Sequence, residues 1–330
     1  MNREITRIVD LERFRVFARR SAVAGAFAWL LLLLSTTSDS EETEMIHKVV
    51  FFAFLVIVPL GLSLVTPVEQ RAGFALYRIA VLVQPLAAVI AIASFFFEKG
   101  ILSAVLSSVW LVLNAIVALC GLGRLAARGL YPLHEASVDA GLFYLPVAGV
   151  WLIVYRLGVQ PFAYGETIIL LTVVHFHFAG FAAPLIAGMT GKWLAASGRA
   201  PGKLYALVVL ALVAAMPLVA AGITFSPVIG LAGTLVIAAG LALLAFLIVR
   251  YVMPEIPSFG PRFLLLIAAL SSCTAMILAC LYAYSLVAHV LILRIPTMAM
   301  THGVLNAFGF TTCSLLAWSW LTNGNGRVRR

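Results

Sequence analysis

Two apolar stretches of the chain carry side chains that could transfer protons. Residues 172–181 include His175 and His177, and residues 301–310 include His302 and Asn306. An ionisable group inside a bilayer costs several kcal/mol unless it faces a protein interior or a wet cavity, so these residues are candidates for function. Histidine suits general acid/base catalysis because its ordinary pKa lies close to neutral pH.

The first stretch places its two histidines on different sides of a helix. Residues two apart in a regular helix point about 200° away from each other, so His175 and His177 are poorly placed to hold one metal ion, and we predict no metal here. His177 shares its face with Gly180, Pro184 and Gly188, small or helix-bending residues that let another backbone or a ligand approach. For His175, a hydrogen bond to a neighbouring helix and a functional role both stay open.

The second stretch repeats part of this pattern. His302 and Asn306 are four residues apart and therefore share a helix face, which Gly309 continues. His177 and Asn306 are each followed by x-x-Gly-Phe, and this shared motif predicts that the two side chains lie at comparable depth in the membrane. We therefore predict a catalytic group of His177, His302 and Asn306, with His175 beside it. Packing of small residues at a helix contact is the alternative explanation for the glycines.

An acidic pair precedes a third apolar stretch. Glu135 and Asp139 are four residues apart in the first turns of a predicted helix. Acidic residues there interact favourably with the helix dipole or cap the helix, which is the purely structural explanation. The functional alternative is that Asp139 belongs to a cytoplasmic vestibule or to an acid/base pair, and that Glu135 binds substrate. Asp139 and His177 differ in depth by about 10 Å, so one compact site would require a bent or tilted helix.

Three further polar residues lie at membrane depth, each in a different apolar stretch. Gln84 precedes a proline, which frees a backbone carbonyl at mid-membrane, and Asn114 and Tyr282 lie within other stretches. We predict that these three residues contact substrate. Helix packing is the competing explanation for each of them.

The composition sets the class of protein. Of 330 residues, 63% are hydrophobic and 11% are charged, and the mean hydropathy is +1.09. Soluble proteins carry about 25% charged residues, so a soluble globule is excluded, and an all-α polytopic transmembrane bundle is predicted. The four cysteines lie in apolar runs without metal-ligand spacing, so neither a zinc site nor a disulfide framework is indicated.

The apolar stretches predict ten membrane spans of about 20 residues each. They divide the chain into a basic N-terminal segment (1–20), a transmembrane domain (21–321) and a basic tail (322–330). The seventh and eighth spans nearly touch at residues 224–227, which predicts a tight helical hairpin. The spans cover residues 21–38, 46–65, 74–97, 101–121, 138–155, 166–189, 204–225, 227–249, 263–288 and 297–321.

The distribution of Lys and Arg predicts the orientation. With a cytoplasmic N-terminus, the inside segments hold 17 of the basic residues and the outside loops hold four, namely Lys48, Lys99, Arg156 and Arg294. This asymmetry predicts that both termini lie in the cytoplasm, and an odd number of spans would scramble it. The net charge of +9 then reflects topology, and no nucleic-acid-binding surface is predicted.

The signatures at residues 175–181 and 301–310, together with the acidic helix start, carry a resemblance. With them the chain resembles the YndJ-like family of bacterial multi-pass membrane proteins, over most of the ten-span region. The resemblance implies a multi-pass protein of a bacterial inner (cytoplasmic) membrane and supports the choice of residues, and it implies no particular reaction.

Two function classes fit these observations. The first is an intramembrane enzyme that isomerises, cyclises or ring-opens a lipophilic small molecule without a cofactor, with His177 or His302 as general acid/base and Asn306 stabilising charge. The second is a secondary transporter that exports a small metabolite, coupled to protons and built from two five-span halves. The enzyme is favoured because the polar groups concentrate in spans six and ten. A membrane scaffold is the third possibility.

Other cofactor and partner classes are disfavoured. The sequence contains no phosphate-binding loop, dinucleotide-binding or zinc-protease motif. A haem with two histidine ligands would need histidines at matching depth, whereas those of spans six and ten differ by roughly 6–8 Å. The predicted partners are therefore membrane lipids and a lipophilic small-molecule substrate.

Overall fold

The computed structural model describes residues 2–67, 71–198 and 202–323, and within these ranges it contains helices and loops but no strand. The chain forms ten long helices, which we number α1 to α10. They are α1 (Asn2–Leu32), α2 (Glu41–Leu62), α3 (Gly73–Phe96), α4 (Ile101–Arg128), α5 (Leu133–Leu157), α6 (Glu166–Ala196), α7 (Lys203–Phe225), α8 (Pro227–Glu255), α9 (Phe259–Ala288) and α10 (Ile295–Thr322).

Nine of these helices, α2 to α10, are long and apolar enough to cross a membrane, counted over the described residues. They coincide with nine of the ten predicted spans, and the prediction of a helical polytopic bundle is confirmed. The remaining predicted span, 21–38, corresponds to the apolar end of α1, which stops at Leu32. Helix α1 carries Arg15, Arg19 and Arg20 before its apolar end, and these charges distinguish it from the other nine helices.

The predicted hairpin between the seventh and eighth spans is confirmed. Helix α7 ends at Phe225 and α8 begins at Pro227, so Ser226 alone connects them. Proline suits the first position of a helix because its missing N–H would have no partner there. A Cβ at Gly222 would overlap the backbone of Gly230, so glycine at position 222 allows the two helices to touch close to the turn.

The chain forms two compact units. The first unit comprises Met1–Gly129 and Leu142–His177, and the second comprises Leu130–Gly141 and Phe178–Arg330. Helices α5 and α6 contribute to both units. In the first unit the buried core includes Phe51, Phe54 and Trp110, and in the second it includes Leu185 and Trp318.

Five π-helical turns interrupt the α-helical hydrogen-bonding pattern within the described residues. Such turns add one residue per turn and frequently occur at functional sites. The turn in α6 and the two in α10 contain nearly all of the two signature stretches found in the sequence. The five turns are Ala53–Ile57 in α2, Phe176–Ala182 in α6, Ile248–Val252 in α8, and Ala299–Gly303 and Leu305–Thr312 in α10.

Candidate functional site

His177 lies in the first unit, fully buried at the start of the π-helical turn of α6. Its Nδ1 is 2.7 Å from the Val173 carbonyl oxygen, and its Nε2 is 3.0 Å from the indole nitrogen of Trp110. The carbonyl can only accept and the indole can only donate, so His177 is neutral with its proton on Nδ1. The rings of Trp110 and Phe54 pack against the imidazole, with centroids 5.9 and 5.2 Å away. Both ring nitrogens of His177 are therefore engaged inside an aromatic box.

Gln84 and Asn114 also lie in the first unit, and each is bonded to a backbone carbonyl. The amide nitrogen of Gln84 donates to the Phe54 carbonyl at 2.7 Å, within the π-helical turn of α2. The amide nitrogen of Asn114 donates to the Leu145 carbonyl at 3.2 Å, and its Oδ1 is buried without a hydrogen-bond partner among the described residues. Gln84 thus supports the backbone next to the ring that packs on His177.

His175 is exposed on the surface of α6 and belongs to the first unit. Its Nδ1 donates to the Leu171 carbonyl at 2.7 Å, one turn earlier in the same helix. The structural explanation predicted for His175 is a hydrogen bond to a neighbouring helix. The carbonyl that it contacts instead belongs to α6 itself.

His302 and Asn306 lie together in the second unit, one in each of the two π-helical turns of α10. The Nδ1 of His302 donates to the Ala275 carbonyl of α9 at 2.9 Å, so the basic nitrogen of the ring is Nε2. The Asn306 amide nitrogen is 3.3 Å from both ring nitrogens and donates to the His302 carbonyl at 3.1 Å. Both residues are half-buried. A Cβ at Gly309 would collide with Ser271, so glycine at position 309 allows α9 to lie close to this face.

The acidic helix start also belongs to the second unit. Glu135 is 3.8 Å from the Lys192 ammonium, a partly exposed ion pair that contributes about 0–1 kcal/mol. Asp139 is buried. Close by, the Ser137 hydroxyl donates to the Pro184 carbonyl at 2.7 Å, which holds the start of α5 against α6.

Tyr282 is half-buried on α9. It lies two helical turns, about 10 Å along the axis, beyond Ala275, the residue whose carbonyl holds His302.

The predicted site residues therefore divide between the two units. His175, His177, Gln84 and Asn114 lie in the first, and Asp139, Glu135, Tyr282, His302 and Asn306 lie in the second. Within the units the structure brings His302 and Asn306 together, and it places His177 in a box of aromatic residues. A site shared between His177 and the pair on α10 stays a prediction.

Sequence reasoning missed a hydrogen-bonded chain in the first unit. The Glu44 carboxylate accepts both the backbone N–H and the hydroxyl of Thr37, at 2.8 and 2.7 Å. Thr37 Oγ1 must then accept from His47 Nδ1 at 2.9 Å, which leaves His47 Nε2 to accept from the Tyr155 hydroxyl at 2.7 Å. The Lys48 ammonium is 2.5 Å from Glu44. Tyr155, His47, Thr37 and Glu44 thus form one directed chain.

Basic residues surround this chain. Lys99 lies 4.5 Å from the ring centroid of Tyr155 and pairs with Glu166 at 2.6 Å. Arg156 donates to the Ser94 carbonyl at 2.7 Å. The positive-inside rule uses Lys48, Lys99 and Arg156 only as signals of orientation. The spacing of Glu44, His47 and Lys48, three and four residues apart on one helix face, was the signal that could have revealed the cluster.

Within the described residues, no group of three or more His, Cys, Asp or Glu side chains is placed to hold a metal ion. The four cysteines are free thiols, with Cys120 buried and the other three half-buried.

The fold and these sites define a polytopic helical membrane protein with histidines set in π-helical turns. The chain belongs to the family described as YndJ-like protein, whose sequence model matches residues 48–310. It is 27% identical over 306 residues to the "Uncharacterized membrane protein YndJ" of Bacillus subtilis (strain 168). That alignment covers 91% of this chain and 53% of the relative, so the chain spans about half the length of the curated relative it matches. No solved structure matches the chain significantly.

Proposed function

We propose that this protein is an integral membrane enzyme that isomerises, cyclises or ring-opens a lipophilic small molecule by general acid/base chemistry. His302 is the acid/base and Asn306 is its polar partner. The observation that carries the proposal is the bond between His302 Nδ1 and the Ala275 carbonyl, because it fixes the tautomer and the orientation of the ring.

A fixed tautomer prepares His302 for proton transfer. With the proton on Nδ1, Nε2 carries the basic lone pair, and the Asn306 amide lies 3.3 Å away. General acid/base catalysis contributes typically 10²–10⁴-fold to a rate, and an amide donor stabilises negative charge that develops on a substrate oxygen. Both residues are half-buried, which leaves part of their surface for a ligand.

The other predicted catalytic residues do not transfer protons in this proposal, and His177 has a structural role. His177 has both ring nitrogens occupied by Val173 and Trp110, so it holds α4 against α6. His175 and Asp139 take no part in the proposed proton-transfer step.

Proton-coupled export of a small metabolite is a second candidate function. The chain from Tyr155 through His47 and Thr37 to Glu44 favours it, because such hydrogen-bonded chains of titratable groups line proton pathways in membrane transporters. The proposed location for either function is the bacterial cytoplasmic membrane, with both termini in the cytoplasm. This orientation requires the apolar end of α1 to cross the membrane as a tenth span, beside the nine helices α2 to α10.

Comparative mass spectrometry of cells and medium separates the two functions. Hosts that express the wild type, His302→Gln or the control His289→Asn are fed a lipophilic extract. His289 is a matched histidine at the left-handed end of α9, a conformation that asparagine tolerates. The proposal predicts compounds of new retention time or new mass that disappear only in His302→Gln. Unchanged compounds that merely move between cells and medium would establish transport instead.

A further inference from the structure

Three buried polar atoms of the second unit have no hydrogen-bond partner in the described part of the chain. They are the indole nitrogens of Trp193 and Trp318 and the hydroxyl of Ser314. The Trp318 side chain is 1% exposed and Ser314 is 0% exposed. Trp193 lies at the end of α6, and the other two residues lie near the end of α10.

The three residues form one cluster, which we call the indole cluster. The rings of Trp193 and Trp318 pack against each other with centroids 6.1 Å apart and planes inclined by 55°. Ser314 precedes Trp318 by four residues and therefore lies one turn away on the same face of α10.

Leaving such atoms unpaired is unfavourable. A buried donor without a partner costs about 1–3 kcal/mol, and buried indole N–H groups normally find an acceptor. Two tryptophans of the first unit follow this rule, since Trp29 donates to the Lys48 carbonyl at 2.7 Å and Trp110 donates to His177. Two adjacent indoles that break the rule together point to an acceptor that is not among the described residues.

The chemistry of the cluster defines the acceptor. An indole nitrogen can only donate, so the complementary group must present an oxygen with available lone pairs. All three side chains are neutral, Ser314 and Trp318 are buried and Trp193 is half-buried with a buried indole nitrogen. Burying an unpaired charge costs far more than burying a neutral polar group. Lys192, which precedes Trp193, is directed to Glu135. An uncharged carbonyl oxygen therefore fits better than a phosphate.

We propose that the indole cluster is a binding site for a lipid carbonyl oxygen, supplied by a glycerolipid ester or by a quinone. The indole nitrogens of Trp193 and Trp318 and the Ser314 hydroxyl donate to this oxygen. The site is independent of the acid/base chemistry proposed for His302.

The first experiment measures thermal unfolding of the full-length protein in delipidated detergent solution, with one lipid added at a time. The lipids are a diester phosphatidylglycerol, its diether analogue without carbonyls, and a menaquinone. We expect the diester or the menaquinone to raise the Tm of the wild type, and the diether to raise it much less. Which of the two is effective identifies the source of the carbonyl.

The variants Trp318→Phe, Trp193→Phe and Ser314→Ala remove one donor each, and phenylalanine keeps an aromatic ring at the two tryptophan positions. Each is expected to abolish the advantage of the carbonyl lipid and to reduce co-purified lipid several-fold, measured by mass spectrometry. Trp320→Phe is the matched control, because Trp320 is 55% exposed on the same helix.

Two outcomes would overturn the proposal. Equal stabilisation by the diester, the diether and the menaquinone would show that no carbonyl is bound. Co-purified lipid that is unchanged in all three variants would show that the donors are hydrated or unused.

Discussion

The bond between Trp110 and His177 ties α4 to α6 at a fully buried point, and it assigns His177 a definite protonation state. We predict that Trp110→Phe lowers the free energy of unfolding by at least about 1–3 kcal/mol, because His177 Nε2 loses its donor and the smaller ring leaves a cavity in the core. Thermal unfolding in detergent measures the effect. Trp320→Phe, at an exposed tryptophan, should leave the Tm nearly unchanged, and equal effects of the two changes would refute the assignment.

Tyr155 and His47 form a second buried residue pair with a clear donor and acceptor. Tyr155→Phe leaves His47 Nε2 without its donor, so we expect a loss of about 1–3 kcal/mol in the free energy of unfolding. In a His47→Leu background the same change should cost less, with a coupling energy of about 0.5–3 kcal/mol. Additive losses in the double variant would show that the two side chains do not interact. Tyr284→Phe, at a 54% exposed tyrosine of α9, is the control.

At the scale of the helices, close contacts decide where backbones meet. A Cβ at position 188 would lie 2.5 Å from Val138 Cγ2 and 2.7 Å from the His134 carbonyl oxygen, so Gly188 lets α6 touch the start of α5. We predict that Gly188→Ala destabilises the protein by about 1–3 kcal/mol through overpacking.

Gly123→Ala is the matched control for this helix contact. Position 123 lies within α4 with open space around it, and alanine favours a helix over glycine by roughly 0.5–1 kcal/mol. The two glycine substitutions should therefore change the unfolding temperature in opposite directions. A shift of the same sign in both variants would contradict the packing described for α5 and α6.

The helices were predictable from the sequence because hydrophobic length is a local property. The hairpin at Ser226 and nine spans follow from it directly. The adjacency of His302 and Asn306 followed from helix periodicity. The π-helical turns could not be derived in this way, since the extra residue in each turn reflects tertiary packing. The chain from Tyr155 to Glu44 joins residues 111 positions apart, and no periodic pattern along the sequence reports such a contact.

At the scale of the whole molecule, the positive-inside rule predicts which loops face the cytoplasm. We expect Ser258→Cys, in the loop before α9, to react with a membrane-impermeant maleimide only after the membrane is permeabilised. Asp39→Cys, in the loop after α1, should react in intact cells. Both variants are made in a background that lacks the four native cysteines. Labelling of Ser258→Cys in intact cells would reverse the proposed orientation.

The central claim is that His302 transfers a proton to or from a lipophilic molecule, and deuterium incorporation tests it most directly. Membranes that contain the protein are incubated in D₂O with a lipophilic extract, and compounds are compared by mass spectrometry. The account predicts products that carry deuterium at carbon with the wild type and with His289→Asn, and none with His302→Gln. Equal deuterium incorporation with wild type and His302→Gln, both present as folded protein in the membrane, would contradict it.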